Sequence, residues 1–149
     1  MTKILHTDDD PIMRIWLKVI IKNFFPNCLI DEAEDGDSAF KKIKENEYQL
    51  IISDINMPQT DTFGLISSIL ELKPESKILM YSSNEEEEYA KQFLQLGAMG
   101  YLKKDAPQQE IKKAIDNCLN NKKYLSSSFI QVFNNEFNKD FDTANFIAA

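Results

Sequence analysis

The sequence predicts a doubly wound α/β domain built on a parallel sheet, and three observations carry that reading. Five short apolar runs alternate with five segments of helical period between Lys3 and Leu119. Most of the runs are continuously apolar rather than alternating, as strands are when helices cover both faces of a sheet. The chain has 149 residues, 43% hydrophobic and 28% charged, enough for one core with at most a short appendage.

The elements follow in order. Lys3 to Thr7 is the first strand, ended by Asp8-Asp9-Asp10-Pro11. Asp10 suits an N-cap and Pro11 the first helical position, where its missing N–H costs nothing. From Ile12 to Phe24 the polar residues Arg14, Lys18 and Lys22 fall four apart, a narrow polar stripe on an otherwise apolar helix. Such a helix is expected to be buried around most of its girth. Cys28 to Ala33 is the second strand, and Asp35-Gly36-Asp37 turns and caps a helix carrying Ala39, Phe40 and Ile43. Leu50 to Ser53 is the third strand, apolar until it reaches Asp54, and a loop with Met57-Pro58 leads to a helix from Thr62 to Leu72, closed by Pro74. Lys77 to Tyr81 is the fourth strand. Ser82-Ser83-Asn84 then caps a helix whose first turn, Glu85 to Glu88, is acidic where the macrodipole favours anions. Gly97-Ala98-Met99-Gly100 breaks that helix, and Tyr101 to Lys103 is the fifth strand. The last regular helix carries Ile111, Ala114, Ile115, Cys118 and Leu119 at i, i+3, i+4, i+7 and i+8.

Several function classes drop out. No apolar run approaches the roughly 20 residues of a membrane span, and Met1-Thr2-Lys3 leads into no secretory h-region. A net charge of −7 repels phosphate backbones, so no direct nucleic-acid binding is expected. Two cysteines, Cys28 and Cys118, with one histidine build no Cys/His zinc cluster and no disulfide framework, which points to the cytoplasm. Both read as small buried hydrophobes. His6, mid-strand, reads as a hydrogen-bonded core histidine and leaves a Ser-His-Asp triad little to work with. Gly36, Gly64, Gly97 and Gly100 form neither a P-loop nor a dinucleotide fingerprint.

Carboxylates are abundant, and the predicted topology gathers them. In open parallel sheets, ligands bind beyond the carboxyl ends of the strands. That rim receives Asp8 and Asp9 after the first strand, Asp54 after the third, Ser82 after the fourth and Lys104 after the fifth. Three gathered carboxylates attract a divalent cation, and hard oxygen donors with room for water suit Mg²⁺. A carboxylate beside Mg²⁺ can act as nucleophile on a phosphoryl group, which Ser82 and Lys104 would then hold.

These residues resemble a known family. Asp8-Asp9, Asp54 followed by Ile55-Asn56-Met57-Pro58, Ser82 and the Gly97–Lys104 segment look like the receiver domain of two-component response regulators, in order and at suitable spacing over residues 3 to 120. The resemblance implies a flavodoxin-like five-stranded sheet of order 2-1-3-4-5. It makes Asp54 the phosphoacceptor, supplied by a histidine kinase, a phosphotransfer protein or a small phosphodonor. It makes Asp9 a direct Mg²⁺ ligand, Asp8 a ligand acting through water, and the Asn56 carbonyl the remaining protein ligand beside Asp54. Ser82 and Lys104 would hold phosphoryl oxygens, and Tyr101 would be the aromatic switch that moves with Ser82. Lys104-Asp105-Ala106-Pro107 resembles the LuxR-type branch, which has Lys-Asp where many receivers have Lys-Pro.

The chain departs from the family pattern in two places. Where many members carry Met-Pro-x-Met-Asp-Gly, it has Met57-Pro58-Gln59-Thr60-Asp61-Thr62; a β-branched Thr62 at positive φ would be strained, so a helix start with Asp61 as N-cap is expected. LuxR-type regulators usually continue into a helix-turn-helix module, and the residues after Tyr124 are too few for one.

The expected division is a receiver over 1–123 and an appendage over 124–149. There Ser126-Ser127-Ser128 precedes Phe129, Ile130, Phe133 and Phe137, a capped amphipathic helix whose stripe would pair with a second copy, dock on a partner or lead to an output domain. The tail after it is expected to be loose. The functional expectation is a phosphorylation-driven signalling switch, not an enzyme on outside substrates. Two alternatives stand beside it. An aspartyl-nucleophile phosphohydrolase usually carries a second Asp two residues on, where this chain has Asn56. A pseudo-receiver would only dock and never be phosphorylated.

Overall fold

The computed structural model describes residues 1–83, 87–126, 130 and 146–147. Along the chain run β1 (Lys3–Thr7), α1 (Pro11–Phe24), β2 (Leu29–Ala33), α2 (Gly36–Glu45), β3 (Leu50–Ser53), α3 (Thr62–Leu72), β4 (Ile78–Ser82), α4 (Glu87–Leu96), β5 (Gly100–Lys103), α5 (Gln108–Leu119), β6 (Lys123–Tyr124) and β7 (Phe146–Ile147). Every strand pairing is parallel, and the sheet order is β2-β1-β3-β4-β5-β6-β7. The expected 2-1-3-4-5 core is present.

Local chemistry sets the helix starts. Asp10 caps α1 by accepting from the Ile12 N–H at 2.9 Å, with Pro11 in the first turn. Asp35 and Ser38 form a reciprocal capping box on α2. Asp61 caps α3 as expected, accepting from the Gly64 N–H at 3.1 Å. The left-handed residue in the preceding loop is Gln59, at φ +54°, rather than Thr62. Gly97, at φ +129°, ends α4 in a conformation open to glycine.

The strands separate two cores, as period-two alternation requires. Leu5, Ile51, Met80 and Tyr101 face one way, against Ile43 of α2, Ile66 and Ile69 of α3, and Ala90 and Phe93 of α4. Ile4, Ile52, Leu79 and Leu102 face the other way, against Leu17, Ile20 and Ile21 of α1 and Ile111, Ala114 and Ile115 of α5. Cys28 and Cys118 are buried free thiols. No helix among the described residues is long and apolar enough to cross a membrane.

Two expectations need correction. The sheet does not stop at five strands. Asn121, at φ +62°, turns the chain after α5 so that the Tyr124 N–H bonds to the Met99 carbonyl at 3.1 Å, and Tyr124 pairs with Gly100. β6 therefore straddles the expected division after Lys123, and Tyr124 and Leu125 are buried. Nor is α1 buried around most of its girth. A sheet covered by one helical layer on each face buries one side of each helix, and Ile12, Ile15, Trp16 and Val19 of α1 are exposed.

The amphipathic helix expected at Phe129 to Phe137 lies outside the described residues except at Ile130. That residue is helical, its N–H bonds to the Ser126 carbonyl at 3.1 Å, and its side chain packs on the α2–α3–α4 core. Asn84 to Glu86, part of the expected cap and acidic first turn of α4, also lie outside them.

Gly100 is where β6 closes on the sheet. A Cβ there would stand 2.8 Å from the Tyr124 carbonyl oxygen and 3.1 Å from Leu79 Cδ1. Gly100→Ala should therefore destabilise the fold by about 1–3 kcal/mol, the usual cost of overpacking a tight site. Urea unfolding followed by circular dichroism measures this, and an unchanged midpoint would mean that β6 yields freely.

Candidate functional site

Register brings the polar strand ends to one rim. Thr7 lies opposite Ser53 in the β1–β3 pairing, so Asp8 and Asp54 leave adjacent strands at the same height. Backbone bonds continue the ladder past the strand ends: Asp8 N–H to Ala33 carbonyl (3.0 Å), Asp54 N–H to Thr7 carbonyl (2.9 Å) and Lys104 N–H to Ser82 carbonyl (2.9 Å). The sites of chemistry are thus held by main chain on both sides.

Asp8 is fully buried and tightly engaged. Its Oδ2 accepts from Lys104 Nζ at 2.7 Å, its Oδ1 accepts from the Asp10 N–H at 3.0 Å, and its carbonyl accepts from Arg14 Nη1 at 2.6 Å. Asp54 is also buried, with Oδ1 accepting from the Ile55 N–H at 2.8 Å and Oδ2 lying 3.4 Å from Lys104 Nζ. Asp9 stands exposed at the edge. One carboxylate oxygen from each of Asp8, Asp9 and Asp54 falls within 4.8 Å of the others. That spacing of hard oxygen donors fits a small divalent cation that keeps part of its water. Ser82 is buried at the end of β4 and Tyr101 is buried in β5. Asn56 is exposed in the loop after Asp54.

A family model for the response regulator receiver domain matches residues 4–116. The chain belongs to the response regulator receiver family. It is 32% identical to the oxygen regulatory protein NreC of Staphylococcus carnosus (strain TM300), over 91% of this chain and 63% of that protein. Identity is also 32% to the NreC of Staphylococcus aureus (strain JH9), over 96% of this chain and 67% of that protein. The chain therefore spans about two thirds of the length of these relatives. Among solved structures, a LuxR-family two-component response regulator from Aurantimonas sp. SI85-9A1 superposes with a TM-score of 0.84 at 23% identity, covering 91% of this chain and 98% of that one.

The electrostatics of this receiver's rim are unbalanced. Burial pushes the Asp54 carboxyl above the usual carboxylate range; Lys104 works against that rise and the Asp8 charge adds to it. Burial alone would lower Lys104, but the hydrogen bond to Asp8 and the charges of Asp54 and Asp8 outweigh it and hold the ammonium above its ordinary value.

Three features of the rim have little sequence signal. Arg14 read as part of a solvated stripe, yet it braces the Asp8 backbone and bonds Glu32 Oε1 at 3.2 Å. Thr62 donates its hydroxyl to the Ile55 carbonyl, tying α3 to the residue after Asp54. His6 is buried as expected, but the hydrogen bonding expected of it is absent. Neither ring nitrogen has a partner, and the nearest carboxylate oxygen, Asp8 Oδ2, is 3.8 Å from Nε2. Burial therefore lowers the His6 pKa to about 4, with Asp8 pulling it back up and Lys104 and Arg14 pushing it further down.

Two pH-dependent outcomes follow. The Asp54 proton is held more tightly in the folded chain than in the unfolded one, so this group's stability contribution is present below its ordinary value of 3.8 and lost as pH rises through the raised value. Asp54→Asn removes the charge at nearly constant shape and should melt above the wild type at neutral pH, the gap closing as pH falls toward 4. Equal melting temperatures at neutral pH would contradict this. The His6 contribution runs the opposite way: stability is lost as pH falls from 6.5 toward about 4. Since the chain has one histidine, its ring protons give a single NMR titration. The inflection is expected near 4, and an ordinary histidine inflection would show the ring to be solvated.

Proposed function

We propose that this chain is a phosphorylation-activated switch of a two-component system, with Asp54 as the phosphoacceptor. The observation that carries the reading is the Lys104 ammonium between Asp8 at 2.7 Å and Asp54 at 3.4 Å, where three parallel strands end. Asp8, Asp9 and Asp54, with the Asn56 carbonyl, would hold Mg²⁺, which would neutralise charge on the attacking carboxylate and the arriving phosphoryl group.

The chain's own residues do the rest. A carboxylate oxygen of Asp54 attacks phosphorus, forming the acyl phosphate O–P bond. The P–N bond of a phosphohistidine donor breaks, and the imidazole leaves with a proton from water. Lys104 then moves its ammonium toward the new phosphoryl oxygens, and the Ser82 hydroxyl donates to another. Tyr101, on the strand that leads to Lys104, takes up the resulting movement of β4 and β5. A phosphoryl group shifts the balance of states only through such differential contacts.

The donor is a histidine kinase or a phosphotransfer protein in the cytoplasm. The chain acts on no outside substrate and catalyses only its own phosphoryl transfer and loss. Lys104-Asp105 and the likeness to a LuxR-family regulator support placing the receiver in the LuxR-type branch, with transcription as the output of the whole protein. Residues 124–149 are then the appendage that follows the receiver.

Acetyl phosphate with Mg²⁺ should add one phosphoryl group to the intact mass, and neither Asp54→Asn nor metal-free protein should gain it. Equal labelling of Asp54→Asn would overturn the assignment. Lys104→Ala should lower the phosphorylation rate by about 10²-fold or more, the usual loss when a charged stabiliser of the transition state is removed.

A further inference from the structure

The helix α1 is apolar nearly all round, and the fold uses one side of it. Leu17, Ile20 and Ile21 enter the core, while Ile12, Ile15, Trp16 and Val19 are 73, 64, 42 and 56% exposed. Their spacing of i, i+3, i+4 and i+7 makes one continuous stripe about 10 Å long. The other large apolar side chains exposed among the described residues (Met1, Leu29, Phe63, Leu72, Tyr89) are spread over the N-terminus and three further elements, so the concentration on α1 is local.

Trp16 is not loose on this surface. Its indole hydrogen-bonds the Tyr81 hydroxyl, and Tyr81 is in turn bonded to the Lys104 carbonyl at 3.4 Å. A large aromatic already held in place loses little entropy on contact with a partner.

The charges around the stripe say what covers it. The chain carries −7 overall, yet between Pro11 and Phe24 it has three cations, Arg14, Lys18 and Lys22, and no anion. Arg14 and Lys18 lean toward Glu32, at 3.2 and 3.8 Å, which leaves the apolar stripe uncovered. The acids Asp9 and Asp10 stand exposed just before the helix, and Lys18 and Lys22 are exposed along its second half. An antiparallel pairing of two such helices sets each acidic end against the other copy's basic end, twice. A parallel pairing sets like on like. The midpoint of the stripe falls between Ile15 and Trp16, so a two-fold axis there brings Ile12 of one copy beside Val19 of the other. The surface is complementary to itself, which is what a two-fold interface demands.

We propose that the α1 stripe is a self-association surface, on which α1 of one chain lies antiparallel against α1 of a second copy. One helix against one helix buries little area, so the dimer is weak and concentration-dependent. The proposal does not rest on phosphorylation of Asp54, and its test is separate from that reading.

Sedimentation of the full chain from low to high micromolar concentration should show a monomer–dimer equilibrium. Ile15→Asp and Val19→Asp, both at exposed positions, should each raise the dissociation constant roughly tenfold or more while leaving the melting temperature near that of the wild type. Orientation is read by oxidation, because a disulfide needs Cα atoms within about 7 Å. Ile15→Cys should cross-link to itself; Ile12→Cys should not, but should cross-link to Val19→Cys. Cys28 and Cys118 are buried and give the silent background. A monomer at every concentration would overturn the proposal and assign the stripe to a different partner. A dimer constant unchanged by both Asp substitutions would place the interface elsewhere. Self-cross-linking of Ile12→Cys as fast as Ile15→Cys would overturn the antiparallel arrangement.

Discussion

The structure turns on one cation shared unequally by two buried carboxylates. Lys104 Nζ sits closer to Asp8 than to Asp54, at 2.7 against 3.4 Å. Burying charge costs free energy unless pairing and hydrogen bonds offset it, and here the offset is partial. One ammonium stands among three acids. Asp8 takes its hydrogen bond, together with the Asp10 amide and the Arg14 contact to its carbonyl. Asp54 receives one backbone amide and a longer approach of the ammonium, and it titrates upward. A divalent cation among the three acids acts against both sources of that rise, since it replaces lost hydration and opposes the Asp8 charge. The rim is therefore less complete as protein alone than its burial suggests.

Everything that holds this cluster is register. A one-residue slip of β3 against β1 would carry Asp54 to the other face of the sheet and place Ser53 at the rim. The slip is prevented because Ile51 and Ile52 serve opposite cores, so both layers would lose their apolar contacts together. β5 brings Lys104 to the same height through the Lys104 N–H to Ser82 carbonyl bond. At the other end of that strand, Gly100 admits Tyr124 as the edge that continues the sheet. The packing of apolar residues with no chemical role thus fixes the distances among the residues that have one.

The order of elements, the caps Asp10 and Asp61, and the gathering of Asp8, Asp9, Asp54, Ser82 and Lys104 were all legible in the sequence. Each rests on short-range signals: apolar runs, capping residues, and the rule that strand ends in a parallel sheet share one rim. What was not legible depends on tertiary distance. That Arg14 bends back to the Asp8 carbonyl, or that Thr62 reaches Ile55, follows from where α1 and α3 dock. No local pattern distinguishes these side chains from solvated ones. The two short strands were missed because Lys123-Tyr124 is too brief to carry a period and follows directly on a helix. His6 was read correctly as buried, but a sequence does not show that strand neighbours leave its nitrogens without partners.

The misreading of α1 is the more informative one. An apolar residue on three sides of a helix suggests burial on three sides, and a two-layered sandwich buries only one. The polar row Arg14-Lys18-Lys22 was taken as the whole wet face, when it is the flank that reaches toward Glu32 and the Cys28 carbonyl. The true outer face also includes Ile12, Ile15 and Val19, where polar residues would cost the fold almost nothing. Core packing therefore accounts for Leu17, Ile20 and Ile21 but gives no reason for their exposed neighbours. A requirement outside the monomer does. Trp16 is the hinge between the two demands, since one edge of it is bonded to Tyr81 within the fold while much of the ring remains open to whatever covers the stripe.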